Sequence, residues 1–487
     1  MISSSYWLTA IKILLFSGLV ALPMFGYLEL LPIRLFDESR LAMNAYEMYH
    51  NHNYLVTYYD GKPDMWNTKP PLLIWLQVLC LHVFGVRELA LRLPLAVAAA
   101  VTAALLLMFS IRYLKNYWFG GIGVLFLVTA EGYMNVHVAR TGDYDALLTL
   151  FILGFSLSYF TFLETKKTKY LHWFFVLIAL GIFTKSVQGL MILPALFLFT
   201  IIQRKLIWVV TQKILYLDIL CFVAAIASFY LLREHYNPGY LQAVWENDLG
   251  GRFSGTLENH QHEFSWYFMG LIQYRFLQWW LVPIGLLLGA THRDPKIKRV
   301  TLYAALISGT YLCLISAAKT KLEWYDAPLY PFLSILAAAA IHWVFMALRN
   351  IKLTFLSPTQ KKILAFVFLI AVFYSPYSCT VRRISHPADP DSEEPLMSVS
   401  YYLKDALEQS KPLPKTVICY DGYNAHLQFY IAKIKDRGEQ IVTKDWQKLS
   451  AGDVVIAAQT DIKTYITAHY KVAAQAYPHQ VSVYRIE

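Results

Sequence analysis

Apolar runs long enough to cross hydrocarbon recur along the chain from Tyr6 to Thr380, and short polar connections separate them. The pattern predicts about eleven spans, near 7–28, 90–111, 118–139, 142–163, 170–184, 187–203, 212–232, 267–289, 299–318, 327–348 and 361–380. The run 70–85 is ambiguous, and charge arbitrates. Five short connections, 112–117, 164–169, 204–213, 292–299 and 349–362, hold sixteen lysines and arginines. They share one side of a bilayer only if 70–85 does not cross, and cationic loops favour the cytoplasm. The run therefore reads as an interfacial or re-entrant helix. The opposite face then receives 29–70, the loop Arg140 to Asp145, Lys185, the long segment 233–266, Lys319 to Asp326 and the C-terminal region.

The longest polar interruption among the early runs is 36–73. Asp37 is placed to N-cap a short helix from Ser39 to about His50. On that helix Arg40, Asn44 and Glu47 share one face, and Leu41, Ala45 and Met48 another, which is the pattern of a helix lying on a membrane surface. After Thr380 the character changes. Residues 381–394 read as a linker. From 395 to 487, helical segments (397–409, 425–434) alternate with short strand-like runs (416–420, 453–457, 481–486), as in a small α/β domain.

Mean hydropathy of +0.40 and a charged fraction of 16% exclude an ordinary soluble protein. The net charge of +10 is loop lysine and arginine on the cytoplasmic side, so no nucleic-acid partner is implied. Lys12 inside the first run and the lack of a clear small-residue cleavage site favour an uncleaved span. The five cysteines show no paired spacing.

Four constellations can carry chemistry. Asp37-Glu38 can take a proton from an attacking hydroxyl, or simply cap a helix. Arg140-Thr-Gly-Asp143-Tyr-Asp145 can bind a cation or a sugar, or cap the next helix. Lys69, Arg252, Lys319, Lys321 and Tyr325 offer the cations and hydroxyl of a phosphate clamp; singly, each also fits a basic residue snorkelling at a span end. His260, His262 and Glu263 have a spacing that zinc can use, although exposed loop histidines are commoner.

With these residues laid out, DESRLAMNAYEM, NTKPPLLIWL and FGVRELALRLP resemble the opening signature of bacterial polyprenyl-phosphate-sugar glycosyltransferases of the GT-C fold. That group includes the aminoarabinose transferases acting on lipid A and relatives of the protein O-mannosyltransferases. The resemblance continues through ARTGDYDALLTLF, TKSVQGLMILP and KTKLEWYDAPLYP, in order over about 30–335. It implies an all-α polytopic membrane protein with interfacial helices and an extracytoplasmic C-terminal α/β domain, in the bacterial inner membrane with its active site on the outer face. It implies an inverting transferase that moves a sugar from a polyprenyl-phosphate carrier to an envelope acceptor: lipid A, a glycan or a protein hydroxyl. By position, Asp37 matches the family's essential aspartate and Asp145 its second acidic residue. Lys69, Arg252 and Tyr325 match the residues contacting the carrier phosphate, with Lys321 beside them. The aminoarabinose transferases often carry a glutamate before KPP that is implicated in a metal site. Here it is Thr68, which puts a divalent metal in doubt, though a site for one stays open, and puts the aminoarabinose assignment in doubt too; no nucleotide site is needed. The rival readings are a transporter or flippase for a lipid-linked sugar, which transporter-like repeats and mid-membrane charges would favour, and a non-catalytic scaffold.

Overall fold

Apolar composition and helix-breaking residues together decide where this chain is regular. In a computed structural model, which describes residues 4–250, 261–353, 355–387, 393–413 and 415–487, seven helices among the described residues are long and apolar enough to cross a membrane. They are Glu88–Leu114, Asp145–Thr165, Lys169–Leu190, Lys213–Tyr236, Pro295–Ala317, Glu323–Arg349 and Pro358–Ser385. Their burial differs sharply: the most apolar window of Asp145–Thr165 is 78% buried, that of Lys213–Tyr236 only 11%. So apolar a helix left that bare is a surface made for lipid. The chain is thus built as a multi-pass membrane protein.

Three of the expected spans are broken. The run 118–139 is helical only over Tyr117–Thr129, and tight turns follow. The run 187–203 opens as a 3-10 turn, Ser186–Leu190, before the helix Leu193–Ile202 with Pro194 in its first turn. The run 267–289 passes from Trp266–Gly270 through a π-turn, Leu271–Arg275, to Leu281–Ala290. The cause of this last break is chemical. Arg275 is 4% exposed, and its guanidinium grips Asp326 with two bonds of 2.7 Å and Glu323 with one of 3.0 Å. The run 70–85 is the thirteen-residue helix Leu72–Phe84, too short to span.

The chain divides into two compact units. The first comprises Met1–Gly26, Asp64–Leu73 and Pro94–Ile384; the second comprises Tyr27–Pro63, Ile74–Leu93 and Ser385–Glu487. In the second unit a two-residue hairpin, β1 (Tyr58–Tyr59) with β2 (Lys62–Pro63), folds onto the helix Asp37–Asn51. Asn44 donates to the Tyr58 carbonyl (2.7 Å), Arg40 lies 3.7 Å over the Tyr59 ring, and Glu47 accepts from the Gly61 amide. The polar face of this helix is therefore spent on its own hairpin. Leu41, Ala45 and Met48 are buried within the protein, and the helix packs against Ala425–Asp436. The membrane-surface expectation for this helix is corrected accordingly.

The C-terminal part of the second unit is a five-stranded sheet of β3 (Thr416–Ile418), β4 (Ile441–Thr443), β5 (Val454–Ala457), β6 (Val472–Ala476) and β7 (Ser482–Ile486), ordered β4-β3-β5-β7-β6. β3 runs parallel to β4 and β5, and the β3–β4 connection carries the Ala425–Asp436 helix, as a parallel crossover requires. β5, β7 and β6 are antiparallel. Val455, Ala457, Tyr484 and Ile486 pack one face against Ile462 and Ile466 of the helix Thr460–His469. Short strands such as β4 and β6, and this helix, are the elements the sequence pattern does not announce.

Candidate active site

In the first unit, Lys69 and Tyr325 line one recess, which is partly open to solvent and is also walled by Lys185, Gln188, Met191, Asp248, Ile315 and Thr320. Each wall comes from a helix end or a break. Lys69 sits before Pro70-Pro71, where the chain is barred from helix until Leu72. Lys185 is the last residue of the helix Lys169–Lys185, and Gln188 lies in the 3-10 turn that follows. Tyr325 lies in the 3-10 segment Glu323–Leu329, and Asp248 in the π-turn Trp245–Gly250.

Asp145 begins the helix Asp145–Thr165, where a carboxylate suits the positive end of the helix dipole. Its two oxygens accept from Lys185 Nζ at 2.7 and 2.6 Å, and both side chains are buried. Lys185 Nζ also stands 4.9 Å from the centre of the Tyr325 ring. The ammonium is thereby fixed beside the tyrosine, and Asp145 reaches the recess through it. Lys69 Nζ stands 5.4 Å from the Tyr144 ring, whose hydroxyl donates to Asn67 (2.9 Å). Lys185 is the member that residue-type reasoning passed over. Its signal was a lysine interrupting an apolar run in TKSVQGLMILP.

The rest of the ARTGDYD loop does a different job. Arg140 donates to the carbonyls of Pro23, Met24 and Gly26, closing the end of the first helix. Asp143 accepts from Thr141 (2.5 Å) and lies 3.2 Å from His137, which stacks on Trp324. The two carboxylates at 143 and 145 thus diverge.

Lys321 departs from expectation. Its Nζ is drawn to the carbonyls of Ala318 (2.6 Å) and His262 (2.9 Å), and it is 4% exposed. Burial lowers its pKa. It pins irregular backbone and does not line the recess. Arg252 and His260 lie outside the described residues; His262 stacks on Trp266 at 4.3 Å. Position 68 offers a buried hydroxyl and no carboxylate, and its carbonyl accepts from Tyr240 (2.6 Å). It does not fit the family's metal ligand, and no step below uses a metal.

In the second unit, Asp37 is the first residue of its helix and half-buried; its side chain does not cap it, because the cap position falls on Phe36. Glu38 is corrected outright. It is fully buried and accepts two bonds from Arg92 (2.6 and 2.8 Å) and one from the Arg34 amide (2.8 Å), so its carboxylate is taken up within the fold. Backbone strain marks two places. Phe36, before Asp37, takes φ +63° and ψ −109°; Ser186, after Lys185, takes φ +51° and ψ −136°. Such conformations are costly for residues with a Cβ and collect at functional sites.

The fold and recess define a class: a multi-pass helical membrane protein with a cationic, tyrosine-walled recess built at helix breaks. Comparisons narrow it. The family model described as dolichyl-phosphate-mannose-protein mannosyltransferase matches residues 68–231. The crystal structure of ArnT from Cupriavidus metallidurans bound to undecaprenyl phosphate matches with a TM-score of 0.70 at 17% identity, over 99% of this chain and 98% of that one. The oligosaccharyltransferase of Archaeoglobus fulgidus in its apo form matches at 0.55 and 12% identity, over 90% of this chain and 64% of that one. The undecaprenyl phosphate-alpha-4-amino-4-deoxy-L-arabinose arabinosyl transferase of Aeromonas salmonicida is 26% identical over 325 residues, 63% of this chain and 55% of its own. The chain spans between about a fifth and about a half of the length of the mannosyltransferase and arabinosyl transferase relatives it matches. The fold is the GT-C fold that the motifs imply.

Proposed function

We propose that this protein is an inverting glycosyltransferase. It takes a sugar from a polyprenyl-phosphate carrier and passes it to an envelope acceptor: lipid A, another glycan or a protein hydroxyl. The observation that carries the reading is the recess shared by Lys69, Lys185 and Tyr325 at the ends of apolar helices. The acceptor hydroxyl oxygen attacks the anomeric carbon. The bond from that carbon to the phosphate oxygen breaks, and the electron pair leaves with the lipid phosphate. Charge grows on the phosphate as the bond breaks, and fixed cations in a partly dehydrated site meet it. Lys69, Lys185 and the Tyr325 hydroxyl take that role, with Arg252 joining them by resemblance. Asp37 receives the acceptor proton, and Asp145 holds Lys185 in place. Eleven crossings, an outward-facing site in the bacterial inner membrane and an outer C-terminal α/β domain complete the proposal.

The test uses purified protein in lipid nanodiscs with sugar-loaded undecaprenyl phosphate. Asp37→Asn is expected to abolish sugar release to acceptor and leave carrier binding intact. Lys69→Ala is expected to weaken carrier binding about tenfold or more, the loss of one charge-assisted contact. Full transfer by Asp37→Asn, or unchanged carrier affinity in Lys69→Ala, would reject the respective role.

A further inference from the structure

We infer that Asp248 and Gln188 form the sugar-recognition side of the recess, and that the transferred sugar is a neutral or amino sugar and not a uronic acid. This rests on the transferase reading above and adds the identity of the group recognised.

Two buried acceptors on the recess wall lack donors. Asp248 is 6% exposed, and its Oδ2 is buried with no hydrogen-bond partner among the described residues. Gln188 Oε1 is in the same condition, and both residues line the recess with Lys69 and Lys185. Buried polar oxygens are nearly always paired in folded proteins, so two that are not, on one cavity wall, point to a missing donor. Two neighbouring donors are already engaged. Lys185 Nζ serves both oxygens of Asp145, and the Tyr240 hydroxyl donates to the Thr68 carbonyl. A ligand that brings its own donors would satisfy both oxygens and leave the lysines to the phosphate. The phosphate end of a carrier lipid brings only acceptors, and those belong against the lysines. The sugar brings hydroxyl hydrogens, or an ammonium, and fits the carboxylate and amide oxygens. A sugar bearing its own carboxylate would set like charge against Asp248 and is turned away.

The turns explain how the two oxygens come to be there. Gln188 follows the strained Ser186, one residue after the lysine of the phosphate side. Gly189 packs so tightly on the helix behind it that an added Cβ would lie 2.8 Å from the Gly181 carbonyl carbon. The turn is therefore held, and the amide oxygen with it.

The experiment measures binding of the full chain in nanodiscs to four probes: undecaprenyl phosphate alone, and the same lipid carrying a neutral hexose, an amino sugar or a uronic acid. Wild type is expected to bind the neutral and amino forms at least tenfold more tightly than the uronate form. Asp248→Asn and, independently, Gln188→Ala are expected to lose about tenfold for the neutral or amino form and to leave bare undecaprenyl phosphate unchanged. Equal loss for bare and sugar-loaded lipid would overturn the inference and make these residues part of the phosphate side or the fold. So would no loss in either variant, or wild-type preference for the uronate. Failure of wild type to bind any of the four sinks the transferase reading itself, which is a separate outcome.

Discussion

Arg92 satisfies all five of its guanidinium hydrogens inside the second unit, and that makes it the sharpest handle on what Glu38 is for. Nε and Nη2 grip Glu38 at 2.6 and 2.8 Å, Nη1 serves the carbonyls of Leu28 (2.6 Å) and Leu31 (2.8 Å), and Nη2 serves Pro32 (2.8 Å). Arg92 is 1% exposed and Glu38 is fully buried. Removing one partner of such a pair leaves the other charge without compensation, which costs about 3–5 kcal/mol. Arg92→Met is therefore expected to destabilise by about that much. Arg92→Lys keeps the charge but has only three hydrogens and no planar fork, so two of the five acceptors go unserved, at roughly 1–3 kcal/mol. The double variant Arg92→Met/Glu38→Gln removes both charges and is expected to recover the part of the loss that comes from the uncompensated Glu38 carboxylate, not the part that comes from the three unserved carbonyls. The assay is equilibrium unfolding in graded detergent mixtures, read by hydrogen exchange over residues 28–38, and assembled as a double-mutant cycle. Coupling below about 0.5 kcal/mol, the value of an ordinary exposed pair, would refute the reasoning and return Glu38 to the list of residues available for chemistry.

The remaining predictions concern packing and pH. At Gly285 an added Cβ would fall 1.8 Å from the Leu336 carbonyl oxygen, so Gly285→Ala must separate the helices Leu281–Ala290 and Tyr330–Arg349; a loss of about 1–3 kcal/mol or more is expected, and unaltered unfolding would show that the helices do not touch there. His426 is buried, its Nε2 is 3.2 Å from the Leu396 carbonyl, and burial pulls its pKa down to about 4. The unfolded chain takes up that proton near pH 6.5 and the folded one only near 4, so the stability involved is complete above 6.5 and is lost as pH falls toward 4, about 3 kcal/mol in all. His426→Gln is expected to flatten that slope in hydrogen exchange over 416–457; an unchanged slope would assign the acid sensitivity elsewhere.

How much of this was legible follows from what each kind of residue reveals. Alternating stretches of apolar and basic residues gave the rough position of the long helices, because length and charge are local properties, but not their number: seven of the eleven expected runs are long apolar helices among the described residues. They could not show that 118–139, 187–203 and 267–289 break, since an apolar turn buried among helices has the composition of an apolar helix. Lys69 and Tyr325 were legible as members of one clamp from residue type, predicted side and motif; their shared recess depends on contacts some 250 residues apart in the chain. Asp37 and Glu38 look alike in sequence, yet a rotation of about 100° per residue sends one into the Arg92 socket and leaves the other half-buried. Lys321 read as a clamp residue because its charge is visible and the two backbone carbonyls that absorb it are not.

These misses share a cause, and it bears on how the recess is made. An apolar chain in lipid can leave its helical path only where protein or a cavity takes over its backbone groups. Tyr240 caring for the Thr68 carbonyl, Tyr311 for that of Tyr325, and Lys321 for that of Ala318 are such substitutes. Each break so supported exposes a short stretch of side chains that a continuous helix would have turned toward lipid or a neighbour. Lys69, Gln188, Asp248 and Tyr325 all come from such stretches. The polar wall of the recess is therefore a consequence of the supporting bonds behind it, and the side chains that hold backbone in place govern its shape as much as those that face the empty space.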